Sequence, residues 1–137
     1  MKFFQPILSL FILMGCTNTK VFKPISQYPP DPWVKGYTDP NDCTGGEILA
    51  VSKFVLPIYP RRAFRSGRQG WVLVRLNVNE YGETKDIIIE RSLPDGLFDM
   101  PANKAIKQWK FDPPKNGEMK NCRVLVRFRA GEVSLGR

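Results

Sequence analysis

The sequence predicts a small α+β domain in which one main helix packs on a three-stranded antiparallel sheet. Three patterns predict this class: two alternating apolar segments joined by a turn, one segment of helical period, and a last alternating segment. The order along the chain is short helix, strand, strand, helix, strand. The domain is expected over residues 47–131, followed by a tail over residues 132–137.

The domain opens with an apolar approach segment, residues 47–57, which is compatible with a short strand. Pro60 fits the first turn of a helix, where its missing N–H costs nothing. A short helix is therefore predicted from Arg61 to Ser66, ended by Gly67.

A β-hairpin follows this helix. One face of its first strand carries Val72, Val74, Leu76 and Val78, and the other face carries Trp71, Leu73, Arg75 and Asn77. Residues 79–82 supply the turn, and residues 85–91 the return strand. The second face looks more polar than the first, so the first is expected to face the core.

The main helix is predicted from a stripe of apolar residues at helical spacing. The stripe consists of Phe98, Ala102, Ala105, Ile106 and Trp109. Asp99 is a reasonable N-cap, Pro101 fits the first turn, and Pro113 with Pro114 prevents the helix from continuing.

The last predicted strand, residues 122–129, alternates strictly. Its inward side chains are Cys122, Val124, Val126 and Phe128, and its outward side chains are Arg123, Leu125, Arg127 and Arg129. A helix crossing from the second strand to the third can place the third beside the first. The second and third strands are then expected to form the edges of the sheet.

The N-terminal residues indicate export. Residues 1–15 have one early charge, Lys2, and an apolar run that is too short to span a bilayer but fits a secretory signal. The stretch Leu13-Met14-Gly15-Cys16 resembles a bacterial lipobox. That resemblance implies a mature chain that begins at an acylated Cys16 and is held by its acyl chains in a lipid bilayer. Thr17 fits sorting to the outer membrane better than to the inner membrane.

An acylated Cys16 leaves Cys43 and Cys122, an even pair in an oxidising compartment. A disulfide between them is the favoured interpretation, and two buried free thiols are the alternative. No metal site is expected, because the chain has no histidine and two thiols are too few.

Residues 16–46 read as a proline-rich tether between the anchor and the domain. Apolar residues within the tether, among them Phe22, Tyr28 and Trp33, indicate that part of it lies on the domain surface.

The charge and the side-chain inventory exclude other functions. The formal net charge is +8, or +7 after loss of Lys2 with the signal, and in a cytosolic protein it would favour nucleic-acid binding. Export argues against nucleic acid and favours acidic peptides or anionic head groups as partners. Without histidine there is no Ser-His or Cys-His pair, and no phosphate-binding glycine loop is present. The chain is therefore not expected to be an enzyme or to need a cofactor.

Together the motifs resemble the C-terminal domain of the TonB family over about residues 50–131. The matching positions are Tyr59-Pro60-x-x-Ala63, Gly67, Gly70-x-Val72-x-Val74, Gly82, Ser92, Phe98-Asp99, Ala102, Ala105, Trp109-x-Phe111-x-Pro113 and the closing basic strand. The combination of order and spacing carries the resemblance.

The resemblance implies a module that captures the periplasmic "TonB box" peptide of outer-membrane receptors by adding it beside the last strand. The implied peptide-binding residues are Leu56, Pro57, Ile58, Tyr59 and Pro60, together with Arg123, Val124, Leu125, Val126, Arg127 and Phe128. Leu56 stands where the best-known members carry a glutamine.

The chain departs from the family in its N-terminal part. Family transducers carry an uncleaved membrane helix that engages the ExbB–ExbD proton motor and a long proline-rich rod, whereas this sequence has neither. A contact with such a motor is therefore expected to be indirect. A structural or scaffold lipoprotein of the cell envelope is the alternative function.

Arginines cluster just before the first long strand, at Arg61, Arg62, Arg65 and Arg68. One interpretation is a solvated helix face. The other is a positive rim that steers an acidic segment or a head group.

Overall fold

The computed structural model describes residues 21–32, 43 and 49–136. The helices and strands are β1 (Val51–Lys53), α1 (Arg61–Arg65), β2 (Gly70–Val78), β3 (Thr84–Leu93), α2 (Asp99–Ile106), β4 (Lys110–Phe111), β5 (Met119–Arg129) and β6 (Glu132–Gly136). The α+β class and the predicted order of the main elements are confirmed. The predicted acylation site, Cys16, and the signal segment before it lie outside the described residues.

The main sheet has four antiparallel strands in the order β3-β2-β5-β6, one more than predicted. The extra strand, β6, is formed by residues that were predicted to be a tail. The turn that leads into it has positive φ at Ala130 (54°) and Gly131 (78°), the pattern of a tight hairpin turn. Alanine is an unusual residue for such a turn, so the sequence carried only a weak signal for this hairpin.

The main core lies between one face of this sheet and α2. The whole predicted stripe is buried, although α2 ends at Ile106 and its outer members, Phe98 and Trp109, flank the helix. The four predicted inward residues of β5 are buried as well. Phe98 stacks on Phe128 with ring centroids 4.4 Å apart. Trp109 donates its indole N–H to the carbonyl of Val55 at 2.7 Å, which ties the segment after β1 to the end of α2. Apolar burial on this face therefore holds the helix on the sheet.

The N-cap prediction for α2 is wrong. Asp99 is the first helical residue, the cap position is Phe98, and no side chain caps the helix. Phe98 takes this position because its ring is fully buried in the core, so tertiary packing decides where the helix begins. Pro101 lies in the first turn, as predicted.

A second, two-stranded sheet joins β1 to β4, which confirms that the approach segment contains a short strand. The hairpin turn before β3 contacts this small sheet, because the N–H of Phe111 donates to the carbonyl of Gly82 at 2.8 Å. Gly82 has a φ of 80°, and a Cβ there would lie 2.0 Å from the carbonyl oxygen of Phe111. The close approach of the two backbones explains the glycine.

The opposite face of the main sheet is not polar as expected. Trp71, Leu73 and Leu125 are buried there in a second small cluster, with Tyr28 packed against it. Residues 21–32, which we call the strap, contribute Tyr28 to this face. The assignment of Leu125 as an outward residue is therefore wrong, because the tether supplies the cover that a single sheet face lacks.

A disulfide joins Cys43 to Cys122, the predicted pair. Both half-cystines belong to the main core, and Cys122 lies opposite Leu76 of β2. The bond fixes the end of the tether to the middle of the sheet. Within residues 21–32, 43 and 49–136, no helix is long and apolar enough to cross a membrane.

Candidate functional site

The strand predicted to bind peptide, β5, is an interior strand over its last five residues. Its residues Leu125–Arg129 pair with β6, from Leu125 opposite Gly136 to Arg129 opposite Glu132. The other side of β5 pairs with β2 from Met119 to Phe128, with one irregularity in register. The prediction of an open edge at Arg123–Arg129 is therefore wrong for residues 125–129, because a hairpin folds the following residues back onto them. Arg123 and Val124 precede this pairing.

The side chains of β5 are engaged in the fold on both faces. Val124, Val126 and Phe128 belong to the main core. Arg123 forms an ion pair with Glu90 at 3.3 Å, and Arg127 pairs with Asp31 of the strap. A peptide could therefore bind β5 mainly through main-chain N–H and C=O groups, which are the groups that strand addition uses.

The covering strand, β6, is weakly held by side chains. Val133 is half-buried and packs against the main core, whereas Glu132, Ser134 and Leu135 are exposed. The strand also forms the antiparallel ladder with β5. A short strand with few buried side chains belongs to the part of a fold that opens at low free-energy cost.

In the segment Leu56–Pro60, the other half of the predicted site, Pro57 is buried and Tyr59 packs against the core. Tyr59 packs edge to face on Phe22, Phe64, Phe98 and Phe128. Its hydroxyl donates to the carbonyl of Arg68. Burial raises the pKa of Tyr59 to about 12, so its hydroxyl remains a donor at physiological pH. The structure therefore gives Tyr59 a place in the core.

The neighbours of Tyr59 point outward and form a groove against α2. Leu56 is 55% exposed and Ile58 is 77% exposed, and Met100 on the facing helix is 80% exposed. The groove has a volume of about 330 Å³. It is lined by Val55, Leu56, Pro57, Ile58, Pro60, Met100, Pro101, Lys104, Ala105 and Gln108. Such a cluster of exposed apolar side chains is typical of a surface that meets a partner.

The strap is an integral part of the domain, which the sequence only hinted at through its aromatic residues. The N–H of Ile25 donates to the carbonyl of Gly67 at 3.0 Å. The side chain of Gln69 donates to Ser26, and the indole N–H of Trp71 donates to Pro30 at 3.0 Å. These bonds run along the start of β2, so the strap follows the sheet.

An ion pair closes the strap at its far end. Asp31 accepts hydrogen bonds from Arg127 and from the hydroxyl of Tyr28. Burial alone would raise the pKa of Asp31, but these hydrogen bonds and the charges of Arg127 and Arg129 outweigh burial and lower it. The guanidinium of Arg129 lies 5.2 Å from the ring of Tyr28. The strap therefore contacts β5 at Arg127 and Arg129, two of the residues whose main chain pairs with β6.

The two apolar cores, the covered part of β5 and the exposed groove define a small α+β domain. A family described as the Gram-negative bacterial TonB protein C-terminal matches residues 55–129. The chain belongs to this family.

Three relatives lie in the same family. Protein tonB2 of Pseudomonas aeruginosa is 39% identical over 62 residues, which cover 45% of this chain and 23% of the relative. Protein TonB of Pseudomonas aeruginosa is 34% identical over 61 residues, 44% of this chain and 18% of the relative. Protein TonB of Xanthomonas campestris pv. campestris is 35% identical over 71 residues, 51% of this chain and 32% of the relative. The chain thus spans less than a third of the length of these relatives.

A solved structure is also similar in shape. The solution NMR structure of the Pseudomonas aeruginosa TonB C-terminal domain aligns with a TM-score of 0.47 at 23% sequence identity. The alignment covers 65% of this chain and 85% of that structure.

Proposed function

We propose that this protein is a periplasm-facing lipoprotein that takes part in energy-coupled transport across the outer membrane. It binds a periplasmic segment of an outer-membrane receptor, a peptide of the TonB-box type, by β-strand addition. The observation that supports this most is the family match over residues 55–129, together with a sheet that ends in the weakly held strand β6.

In the proposed binding step the peptide replaces β6 beside β5. The peptide then makes the main-chain hydrogen bonds to residues 125–129 that β6 makes in the free protein. Exchange of one ladder for another costs little, since the number of main-chain bonds is conserved. The net affinity comes from side chains of the peptide and from the low cost of releasing β6.

The segment Leu56–Pro60 contributes apolar contacts to the peptide in this proposal. Leu56 and Ile58 are the exposed members, and they replace the polar contact that glutamine would make in better-known relatives. A peptide with an apolar residue at the facing position gains about 1.5–3 kcal/mol if that residue becomes fully buried. Tyr59 acts only as the internal support of the segment.

The anchor of the proposed function is an acylated Cys16 in a membrane leaflet, with the outer membrane favoured over the inner membrane. Coupling to a motor of the ExbB–ExbD type is then indirect and needs another protein. Mass spectrometry of the mature N-terminus tests the anchor: a diacylglyceryl-modified Cys16 supports it, and a retained Met1 contradicts it.

The mode of binding is tested with a chain that ends at Gly131 and therefore lacks β6. The probe is a synthetic peptide of the periplasmic N-terminal segment of a receptor from the same bacterium, followed by fluorescence anisotropy. If the peptide replaces β6, the shortened chain binds it at least as tightly as the full chain. If the peptide adds to the outer edge of β6 instead, the shortened chain does not bind it.

A scaffold role in the envelope is the second candidate, and the covered edge of β5 favours it. Photo-crosslinking in cells from position 58, with Tyr81 in the β2–β3 turn as a matched exposed position, separates the two candidates. Crosslinks to receptors from position 58 but not from position 81 support the transport role. Trapping of only peptidoglycan-associated or assembly proteins supports the scaffold role and contradicts the proposed one.

A further inference from the structure

The arginines of α1 form one continuous face. With 100° between successive residues, Arg61, Arg62 and Arg65 fall within an arc of about 100°. Ala63, on the opposite side of the helix, is completely buried. The helix is therefore held by its alanine side and presents its three arginines to solvent, where all three are exposed.

This face differs from Arg75, Arg123 and Arg127 in having no acidic partner among the described residues. Arg75 and Arg123 share Glu90, and Arg127 pairs with Asp31. In the ranges that the structure describes, no carboxylate lies within ion-pair distance of the side chains of α1. The exposed Arg68 and Lys23 likewise have no acidic partner there. These five cations, Lys23, Arg61, Arg62, Arg65 and Arg68, are called the α1 basic face below.

The strap brings the N-terminal side of the chain to this face. The N–H of Ile25 donates to Gly67, two residues after the end of α1, and the carbonyl of Lys23 lies against the same glycine. Val21 and Ile25 flank Lys23 and are each 69% exposed. A lysine between two exposed apolar residues suits the boundary between head groups and acyl chains.

The α1 basic face also lies close in sequence to the anchor, if Cys16 is acylated as proposed above. Cys16 precedes Lys23 by seven residues, a reach of at most about 25 Å. A strap fixed at Gly67 therefore keeps α1 close to the leaflet that holds the acyl chains. An acidic peptide would satisfy the same charges, but the connection to the anchor favours the lipid surface.

We infer that the α1 basic face binds the anionic phospholipid head groups of the anchoring leaflet and so sets the orientation of the domain on the membrane. A guanidinium group can donate two hydrogen bonds to the oxygens of one phosphate. Each basic residue near an anionic surface strengthens binding about fivefold. Three arginines together thus contribute about 100-fold to partitioning onto such a surface.

The test uses the mature chain with Cys16→Ser, exported behind a cleavable signal so that the disulfide forms and no acyl chain is present. This chain retains every residue that the structure describes. The measurement is co-sedimentation with vesicles of phosphatidylglycerol and phosphatidylcholine, 30:70, and with vesicles of phosphatidylcholine alone. A triple variant, Arg61→Gln, Arg62→Gln and Arg65→Gln, is compared with the parent.

The matched control removes three positive charges from the other end of the sheet. Lys85 pairs with Asn77 and Lys120 follows Met119, the partner of Val78, whereas α1 precedes the opposite end of β2. The control variant is Lys85→Gln, Lys115→Gln and Lys120→Gln. Thermal unfolding of both variants checks that the domain stays folded, which is expected because all six side chains are exposed.

We expect the parent and the lysine variant to bind the anionic vesicles, and the arginine variant to bind them about 100-fold more weakly. If both variants lost vesicle affinity equally, net charge alone would explain the effect and the inference would be overturned. It would also be overturned if the parent bound neutral vesicles as tightly as anionic ones. Binding of a polyglutamate peptide but not of vesicles would assign the face to an acidic peptide instead. Receptor-peptide affinity, measured on the same samples, is expected to be unchanged, so failure here is separate from failure of the proposed function.

Discussion

Ala130→Asn is expected to weaken receptor-peptide binding without touching the peptide. Ala130 has a φ of 54° in the turn between β5 and β6, and Gly131 follows with a φ of 78°. An ordinary L-residue in this region costs about 1–2 kcal/mol, whereas asparagine tolerates it and Asn-Gly is the preferred pair for such a turn. The substitution therefore stabilises the closed hairpin by about 1 kcal/mol.

If a peptide has to replace β6, this added stability opposes binding. A gain of about 1 kcal/mol in the closed state weakens the apparent affinity about fivefold. Fluorescence anisotropy with the labelled receptor peptide measures the affinity. Hydrogen exchange of the β6 amides measures the opening of the hairpin, which is expected to become about fivefold rarer as well.

The control is the same substitution in the chain that ends at Gly131. Without β6 there is no strand to close, so Ala130→Asn is expected to leave the affinity of the shortened chain unchanged. The result that would refute the reasoning is slower exchange in β6 of the full chain together with an unchanged affinity. It would show that the peptide binds without releasing this strand.

Three further predictions concern the strap and the disulfide. Replacing both Cys43 and Cys122 by serine should lower the free energy of unfolding by about 4.5 kcal/mol, measured by denaturant titration, because their bond closes a long loop; a loss below 1 kcal/mol would contradict this. Gly67→Val should detach the strap and expose it to proteolysis, since a Cβ would lie 1.9 Å from the carbonyl oxygen of Lys23 and φ is 67°; an unchanged cleavage pattern would count against the contact. The pKa of Asp31 is lowered in the fold, so its contribution to stability is complete above the ordinary pKa of 3.8 and is lost as pH falls below it. Unfolding curves should show this acid loss in the parent but not in Asp31→Asn, and identical pH profiles would refute it.

The periodic elements could be predicted from the sequence because their signals are local. Val72 and Val74 alternate with period two, and Ala102 and Ile106 repeat at helical spacing, so each pattern selects its own backbone geometry. Both pairs are buried as predicted. The pairing of Cys43 with Cys122 was predicted from the count of thiols, on the expectation that the chain is exported and Cys16 is acylated, and the structure contains this bond.

The candidate site was harder to predict, because the exposure of its side chains depends on which distant residues pack over them. Tyr59 belongs to the motif that predicted peptide contact, yet its ring is enclosed by aromatic side chains from distant parts of the chain. Leu125 looked exposed because its neighbours are arginines, and it is buried because Trp71 and Tyr28 pack on its face. The local sequence pattern predicts neither the packing of Tyr59 nor the burial of Leu125.

The sequence by itself determined the class of domain, the order of its main elements and the face on which α2 packs. Only the tertiary structure decided that β6 covers β5 and that the strap covers the second face of the sheet. The reason is physical: an alternating pattern predicts which side chains share a face of the strand. It does not predict which segment will pair with the N–H and C=O groups at the edge of the strand or bury its other face. Those partners come from residues far along the sequence, and only the folded chain brings them together.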